Sequence, residues 1–473
     1  MNDLIKYAAQ VKPSERQLAL QEMEFYAFIH FTVNTYTDAE WGLGNEDPSI
    51  FNPVEFDADQ WVEACLSAGM KGLILTCKHH DGFCLWPSQY TEHSVKNSPW
   101  KNGTGDIVKE VAEACRRGGI KLGIYLSPWD RHEQTYGDSP RYNEYFLNQL
   151  RELLTGYGDI FCVWFDGACG EGPNGKRQQY DWEAYYALIR ELQPNAVISV
   201  CGPDIRWCGN EAGHCRSSEW SVVPASLKEN ERIQEKSQQA DDREFAIRYD
   251  SKDDDLGSRE VIQHESELVW YPAEVNTSIR PGWFYHASED DKVRSLDELL
   301  NIYYNSVGGN ATFLLNLPPD TRGLIHQNDM ERLKELGDVI RYTFRTNLAS
   351  NAAAKASETM NGCDATNMLD GNRDTFWAPE EGTELVSVEV DLQNELMFDH
   401  VVLQEHRYGQ RIERFELEYK DGDEWIPLYK GTVVGYKRIC RFDAVVSRFI
   451  RMKITESRWY PKVSTFEVYM SKS

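Results

Sequence analysis

The 473-residue sequence lacks any apolar stretch close to the ~20 residues that a membrane-spanning helix needs. It also lacks a basic-then-apolar secretion signal at its N-terminus. We therefore expect no membrane insertion, and either a cytoplasmic protein or a chain whose signal peptide has been trimmed. Positive charge is scarce, with 50 Lys and Arg against 76 Asp and Glu and a net charge of −26. Nucleic acid and anionic membranes attract cationic surfaces, so neither is expected as a partner.

Two cofactor motifs are also missing. The 11 cysteines contain no C-x-x-C pair with a matching second pair, so we expect no metal site and no other cofactor. Cys84, Cys208, His214 and Cys215 could gather round a metal, but buried thiols are more often core-filling residues. Free thiols weakly favour a reducing compartment. No G-x-G-x-x-G follows a predicted strand, which disfavours the alternative of an open, doubly wound sheet.

The sequence does contain an apolar run, residues 160–165, that ends on Asp166 and Gly167. Such a run is typical of a parallel strand buried on both faces, and barrels of these strands carry their chemistry at the C-terminal strand ends. Asp166 is therefore the first candidate for a catalytic group. The alternative is that Asp166 only caps the next turn while Gly167 supplies backbone freedom.

The same pattern recurs along residues 1–345 and predicts an α/β domain with a (β/α)8-like barrel, because strands alternate with helices. One run ends on His30 and another on the pair His79 and His80. The predicted strands are 25–29, 72–78, 120–126, 160–165, 196–201, 268–270 and 311–315, and the predicted helices are 59–69, 106–118, 143–155, 182–192 and 295–306.

Residues 346–473 have a different pattern, in which helical periodicity is replaced by short alternating runs with Asp-Gly turn signals. This pattern predicts an all-β sandwich as a second domain. The runs are 386–392, 400–404, 415–419 and 448–454.

Aromatic residues are concentrated near the predicted strand ends, among 14 Trp and 24 Tyr in all. Ring faces stack on the C–H surfaces of sugars while polar side chains bind the hydroxyls, so this arrangement favours a sugar site. For any single tryptophan, core packing is the alternative. A glycosidase needs a second carboxyl group besides Asp166. The candidates are Asp204, Glu211, Glu219 and Glu274.

Among these candidates, Glu211 is favoured because it lies on the Gly-rich loop 202–213. A residue on such a loop can reach over a site, and aromatic burial can raise its pKa as a general acid requires. The alternative is a solvated loop acid. Glu219 is the rival for the same role.

Six motifs occur in an order that resembles the α-L-fucosidases of glycoside hydrolase family 29. They are residues 28–31 (FIHF), 40–42 (EWG), 78–83 (KHHDGF), 127–129 (SPW), 164–167 (WFDG) and 278–284 (SIRPGWF). The resemblance implies a retaining exo-α-L-fucosidase with Asp166 as the nucleophile. Loop 202–213 resembles the subgroup that cleaves branched α-1,3/1,4-linked fucose, which implies that Glu211 is the acid/base. The fucose contacts implied are His30, Glu40, Trp41, His79, His80, Trp164, Arg280 and Trp283, the last against the C5 methyl group.

The resemblance also implies a fucosylated oligosaccharide or glycoconjugate as the partner. Asn276 departs from the family pattern, where an Asp is expected, and segments 369–377 and 409–412 resemble a discoidin-type, carbohydrate-binding-module-like domain. A periplasmic or extracellular location is implied if a signal peptide was trimmed, and a cytoplasmic one if not. Two alternatives are a non-catalytic fucose lectin and a related retaining glycosidase such as an α-galactosidase, whose pocket must accommodate a 6-hydroxyl.

Overall fold

The computed structural model describes residues 3–237, 255–383 and 385–472. In its first part, eight parallel strands form one sheet in the order β5-β4-β3-β2-β1-β10-β9-β6. A bridge between Ser199 and Ile205 brings the two ends of this sheet together, so the barrel is nearly closed. The strands up to this point of the chain are β1 Phe25–Ile29, β2 Gly72–Lys78, β3 Lys121–Leu126, β4 Ile160–Phe165, β5 Val197–Val200, β6 Arg206–Trp207, β7 Val222–Pro224, β8 Leu268–Trp270, β9 Ala273–Ser278 and β10 Ala311–Asn316.

Helices alternate with the barrel strands, and their boundaries follow from local capping. Asp57 accepts hydrogen bonds from the first turn of helix α4 (Ala58–Ala68), and Gly69 ends that helix with a φ of 84°. In the same way, helix α5 (Ile107–Gly118) begins after the capping residue Asp106 and ends at Gly119. The helices are α1 Asp3–Ala8, α2 Glu15–Gln21, α3 Asn34–Thr37, α4 Ala58–Ala68, α5 Ile107–Gly118, α6 Ser139–Gly156, α7 Trp182–Leu192, α8 Asn230–Lys236, α9 Arg259–Ile262, α10 Leu296–Ser306 and α11 Gln327–Thr343.

The predicted barrel is confirmed, with one strand misplaced. Residues 268–270 do form a strand, but β8 pairs antiparallel with β7 outside the barrel. Its apolar side chains pack against α1 instead of the barrel interior. The barrel strand at this position is β9, whose sequence Ala-Glu-Val-Asn-Thr-Ser is polar although all six residues are buried.

The predicted all-β domain is also confirmed, as a six-stranded antiparallel sheet. The register of β12 against β15 shifts between Asp391 and Leu396. The first half of β12 pairs with β11 and its second half pairs with β16, and side chains from both halves share one apolar core. The strands are β11 Ala353–Ala356, β12 Val386–Glu405, β13 Ile412–Asp421, β14 Glu424–Gly431, β15 Arg438–Ser457 and β16 Val463–Tyr469.

The barrel and the sandwich share buried apolar surface. Val402, Ile439 and Tyr469 of the sandwich belong to the main apolar cluster of the barrel. Val433 packs in a smaller cluster with Trp220 from the barrel side. The two units therefore bury each other's side chains. No helix in the described ranges is long and apolar enough to cross a bilayer.

Candidate active site

A cavity lies at the C-terminal ends of the barrel strands, where the sequence pattern predicts the site. Nine of the ten sequence-predicted site residues line it, together with Phe28, Ala168, Ser237 and Asn276. The exception is Arg280. The nine residues are His30, Glu40, Trp41, His79, His80, Trp164, Asp166, Glu211 and Trp283.

Asp166 follows the last residue of β4, so the buried strand fixes its backbone at the mouth of the barrel. Its Oδ1 accepts a hydrogen bond of 2.8 Å from the Ala168 N–H, and its Oδ2 accepts one of 3.1 Å from the Tyr125 hydroxyl. Burial raises the pKa of Asp166, and these hydrogen bonds oppose that rise. Oδ1 thus caps the following turn, as the alternative interpretation of Asp166 expects, and the residue also lines the cavity.

Three buried imidazoles surround the cavity, and burial is the largest cause of their lowered pKa values. The pKa of His30 falls to about 3, that of His80 to about 3, and that of His79 well below its ordinary value. All three rings are therefore neutral near pH 7. A neutral imidazole presents one donor and one acceptor, which suits a ligand hydroxyl.

Hydrogen bonds on the far side of two rings fix their orientation. His30 Nδ1 lies 2.8 Å from Asn316 Oδ1. His80 Nδ1 lies 2.7 Å from Ser127 Oγ, which itself donates to the Trp129 carbonyl at 2.6 Å. His80 Nδ1 must then carry the proton, so His80 Nε2 is a free acceptor, 3.7 Å from Asp166 Oδ2. His79 Nδ1 is buried and has no hydrogen-bond partner among the described residues.

Glu40 holds the turn that carries Trp283. Its carboxylate accepts hydrogen bonds from the backbone N–H of Trp283 at 2.8 Å and of Phe284 at 3.2 Å, and His286 Nε2 lies 2.7 Å from Oε1. A buried carboxylate with three such partners is strongly oriented. The Trp283 ring is directed to the cavity, where its Nε1–H donates to Glu211 Oε2 at 3.2 Å.

Four carboxylates were candidates for the partner of Asp166, and the structure separates them. Asp204 is buried and bound by Arg16 and Arg190. Glu219 is fully buried between two arginines, where burial alone would raise its pKa but the arginine charges lower it. Only Glu211 of the four lines the cavity.

The fourth candidate, Glu274, lies inside the barrel behind the cavity. Its carboxylate accepts a hydrogen bond of 2.7 Å from Trp164 Nε1 and another from the Tyr26 hydroxyl. Burial raises the pKa of Glu274 to about 7, against the opposing effect of these two donors. Glu274 therefore orients the indole of Trp164, which lines the cavity, and does not face the cavity itself.

Arg280 lies outside the cavity lining. Its Nε donates to both carboxylate oxygens of Asp329 at 3.0 and 2.9 Å, and its Nη1 donates to Asp290 at 2.8 Å. The side chain is fully buried. It joins the turn after β9 to α11, a long-range pairing that the local sequence pattern does not reveal.

Asn276, the departure from the family pattern, occupies the cavity wall. Its Oδ1 accepts a hydrogen bond of 2.8 Å from Trp207 Nε1. An amide at this position adds no negative charge to a cavity that the carboxylates of Glu40, Asp166 and Glu211 already line. Within residues 3–237, 255–383 and 385–472, no three His, Cys, Asp or Glu side chains are grouped as metal ligands.

The chain matches two known family models. The family model described as alpha-L-fucosidase matches residues 7–343. The chain belongs to the α-L-fucosidase family. As a member of it, the protein is a glycoside hydrolase. A second family model, the F5/8 type C domain, matches residues 351–468, which agrees with the discoidin-like character expected for the C-terminal domain.

Relatives that match almost the whole of this chain support the fucosidase assignment. The chain is 42% identical to alpha-L-fucosidase 1 of Arabidopsis thaliana, over 97% of this chain and 88% of the relative. It is 33% identical to a Ruminococcus gnavus family 29 fucosidase solved in complex with fucose, with a TM-score of 0.83 and coverage of 98% and 96%. It is 39% identical to a glycoside hydrolase 29 family member from an unknown rumen bacterium, with a TM-score of 0.79 and coverage of 98% and 78%.

Proposed function

We propose that this fucosidase is a retaining exo-enzyme that releases terminal α-1,3- and α-1,4-linked L-fucose from branched glycans by double displacement. Asp166 attacks the anomeric carbon while Glu211 donates a proton to the leaving oxygen. Glu211 then takes a proton from water, which attacks the fucosyl-enzyme and frees Asp166. The observation that carries the proposal is that the carboxylates of Asp166 and Glu211 line one cavity, while the third carboxylate there, that of Glu40, is bound by two backbone N–H groups and His286.

The cavity wall supports fucose as the bound sugar. Phe28, Trp164 and Trp283 supply aromatic surface for the C–H face and the methyl group of fucose. His30, His79 and His80 supply hydroxyl contacts without a competing positive charge. The Ruminococcus gnavus relative was solved with fucose bound, which supports the same ligand class here.

Azide rescue tests the assignment of the acid/base. The Glu211→Ala variant should still cleave a fucoside with a good leaving group at the first step, and azide should restore turnover by attacking the β-fucosyl-enzyme in place of water, which forms α-fucosyl azide and frees Asp166. The matched variant Glu219→Ala should show no rescue, because Glu219 is buried between Arg206 and Arg216. Rescue of Glu219→Ala but not of Glu211→Ala would overturn the assignment.

Replacement of the nucleophile tests the covalent step. The Asp166→Asn variant should retain less than a few per cent of wild-type turnover and still bind fucose, because only the attacking group is lost. Greater residual activity would exclude Asp166 as the nucleophile.

A linkage panel tests the substrate subgroup. One enzyme preparation is assayed on an aryl fucoside, on Fuc-α1,2-Gal and on branched Lewis-type trisaccharides. We expect the branched sugars to be cleaved best and the aryl fucoside poorly. A preference for the α-1,2 linkage would refute the subgroup assignment.

We also propose a domain division at residues 345 and 346, with the catalytic barrel before it and the sandwich after it. Two observations support it: α11 ends at Thr343, and the two family matches end at 343 and begin at 351. We expect limited proteolysis to cut preferentially within residues 344–352 and to leave two stable fragments that stay associated. Preferential cutting elsewhere would place the domain boundary at that other position.

A further inference from the structure

We infer that the C-terminal sandwich is a positioning element of the catalytic centre. Through Gln410, Thr432 and Arg438 it fixes segment 217–222 of the barrel, and this segment fixes the loop that carries Glu211. The inference deepens the proposed function, because it depends on Glu211 being the acid/base. None of these three sandwich residues touches the substrate cavity, so each would act through the loop.

The first link is the amide of Gln410, which is fully buried between the two domains. Its Oε1 accepts hydrogen bonds from the backbone N–H of Ser221 at 2.7 Å and of Val222 at 3.4 Å. Its Nε2 donates to the Glu219 carbonyl at 3.2 Å. A single sandwich side chain thus satisfies three backbone groups of the barrel segment.

The second link is at the start of the segment. The Ser217 carbonyl accepts a hydrogen bond of 2.7 Å from Thr432 Oγ1 and one of 3.0 Å from Arg438 Nη2. In the middle, the guanidinium of Arg458 lies 3.9 Å from the ring centroid of Trp220. The sandwich therefore contacts the segment at both ends and at its centre.

The third link connects the segment to the loop through an ionic cluster. The Glu219 side chain is fully buried and paired with Arg206 and Arg216. Arg216 Nη1 also donates to the Cys208 carbonyl at 2.8 Å, at the base of the loop. A displacement of Glu219 would also displace Arg216, because separating a buried carboxylate from its ion-pair partner costs much free energy.

The fourth link is within the loop. Asn210 Oδ1 accepts from the N–H of Ala212 at 3.1 Å and of His214 at 3.0 Å, and its Nδ2 donates to the His214 carbonyl at 3.0 Å. These bonds close a turn with Glu211 near its apex, where Trp283 Nε1 donates to the carboxylate. Acid catalysis requires such a group to be held within about 0.5 Å of its productive position, so the rigidity of this chain of contacts bears directly on rate.

The test compares two sandwich variants with a matched control. Gln410→Leu removes the three bonds of the first link. Thr432→Val removes the bond from Thr432 to the Ser217 carbonyl and a longer one, of 3.4 Å, from Arg438 to Thr432 Oγ1, with little change of shape. Tyr408→Phe removes another hydrogen bond between the domains, from Tyr408 to Glu15 on α2, away from the Glu211 loop. Thermal melting is measured for every variant, so that activity is compared only between folded proteins.

Two substrates separate positioning of the acid from general damage. A fucoside with a good leaving group does not need the acid in its first step, whereas a branched trisaccharide does. We expect kcat/KM on the trisaccharide to fall at least about tenfold for Gln410→Leu, a part of the 10²- to 10⁴-fold that general acid catalysis contributes. For Thr432→Val we expect a loss of about two- to fivefold. The activated fucoside should keep its kcat/KM in both variants, and azide should raise their kcat.

Equal losses on the two substrates, or unchanged activity in folded Gln410→Leu, would overturn the inference. If Gln410→Leu does not fold, the same criteria apply to Thr432→Val. Tyr408→Phe should leave both substrates unaffected, and a selective loss in that variant would also count against the inference. Glu211→Ala is assayed in parallel: if it fails to spare the activated fucoside, the proposed acid/base role itself is wrong, whatever the sandwich variants show.

Discussion

Replacing Glu274 by Gln is expected to stabilise the folded protein at alkaline pH while lowering its activity. Glu274 accepts hydrogen bonds from Trp164 Nε1 and from the Tyr26 hydroxyl in the barrel interior. A Gln side chain of the same shape can keep both bonds, because its carbonyl can accept from Trp164 and its amide can donate to the Tyr26 oxygen. The main change is therefore loss of a buried, titratable charge.

The magnitude follows from the raised pKa of this carboxyl. Burial raises the pKa of Glu274 from an ordinary 4.5 to about 7, so the folded state binds the proton more tightly than the unfolded state. Stability is then lost as the pH rises from about 4.5 to about 7, by about 3 kcal/mol in total. The Gln variant has no such loss. We expect the two proteins to differ by less than about 1 kcal/mol near pH 5, and the variant to be about 2–3 kcal/mol more stable at pH 8.

Urea unfolding followed by tryptophan fluorescence at pH 5, 6, 7 and 8 measures the difference. The control is Glu63→Gln, which changes an exposed glutamate on α4. Activity of Glu274→Gln should fall by up to about tenfold, because the hydrogen bond that Trp164 donates to a neutral amide oxygen is weaker than the one it donates to a carboxylate, so the indole is held less firmly. A stability difference that does not change with pH would refute the reasoning.

Three further outcomes are expected. Burial holds the pKa of His80 at about 3 in the folded state, so wild-type stability should fall by about 1.4 kcal/mol per pH unit below pH 6.5 on account of this residue; His80→Gln should lose that slope in urea unfolding. Arg280→Met should lower the free energy of unfolding by about 3–5 kcal/mol, because it leaves the buried Asp329 carboxylate without its ion-pair partner. The KM for fucosides should not change, and a raised KM in the folded variant would instead support Arg280 as a sugar contact. Asn276→Asp should move the pH profile of kcat/KM upward by about one unit through repulsion of the cavity carboxylates, and an unshifted profile would contradict this.

The sequence predicts the strands whose two faces are both apolar. The runs at 25–29, 72–78 and 160–165 match β1, β2 and β4, because burial on both faces requires uninterrupted hydrophobic residues. The hydrophobic pattern does not predict β6, which has only two residues. It also does not predict β9, whose buried polar side chains form hydrogen bonds with residues distant in the sequence. In that region the apolar triplet 268–270 dominated the pattern, although it belongs to another sheet.

In the candidate site, too, the local sequence pattern predicts some residues and misses those whose positions depend on long-range contacts. Residues directly after strands, such as His30, His79 and Asp166, were predicted because the barrel brings strand ends together. Arg280 lies in an equally conspicuous motif, yet its partner Asp329 is 49 residues away on α11 and directs it away from the cavity. The buried position of Glu219 depends on its ion pairs with Arg206 and Arg216, which only the folded structure brings together.

The interdomain contacts have a consequence for synthesis of the protein on the ribosome. The last barrel helix ends at Thr343, but Gln410 and Arg438, which bind segment 217–222, lie far beyond it in the chain. At about 5–20 residues per second, the 95 residues from Thr343 to Arg438 take about 5–19 s to be made. For that time a nascent barrel must leave the backbone groups around Ser221 and the apolar surface around Trp220 exposed to water or to chaperones. Synthesis and docking of the sandwich, and not completion of the barrel, is then the event that closes this side of the catalytic domain.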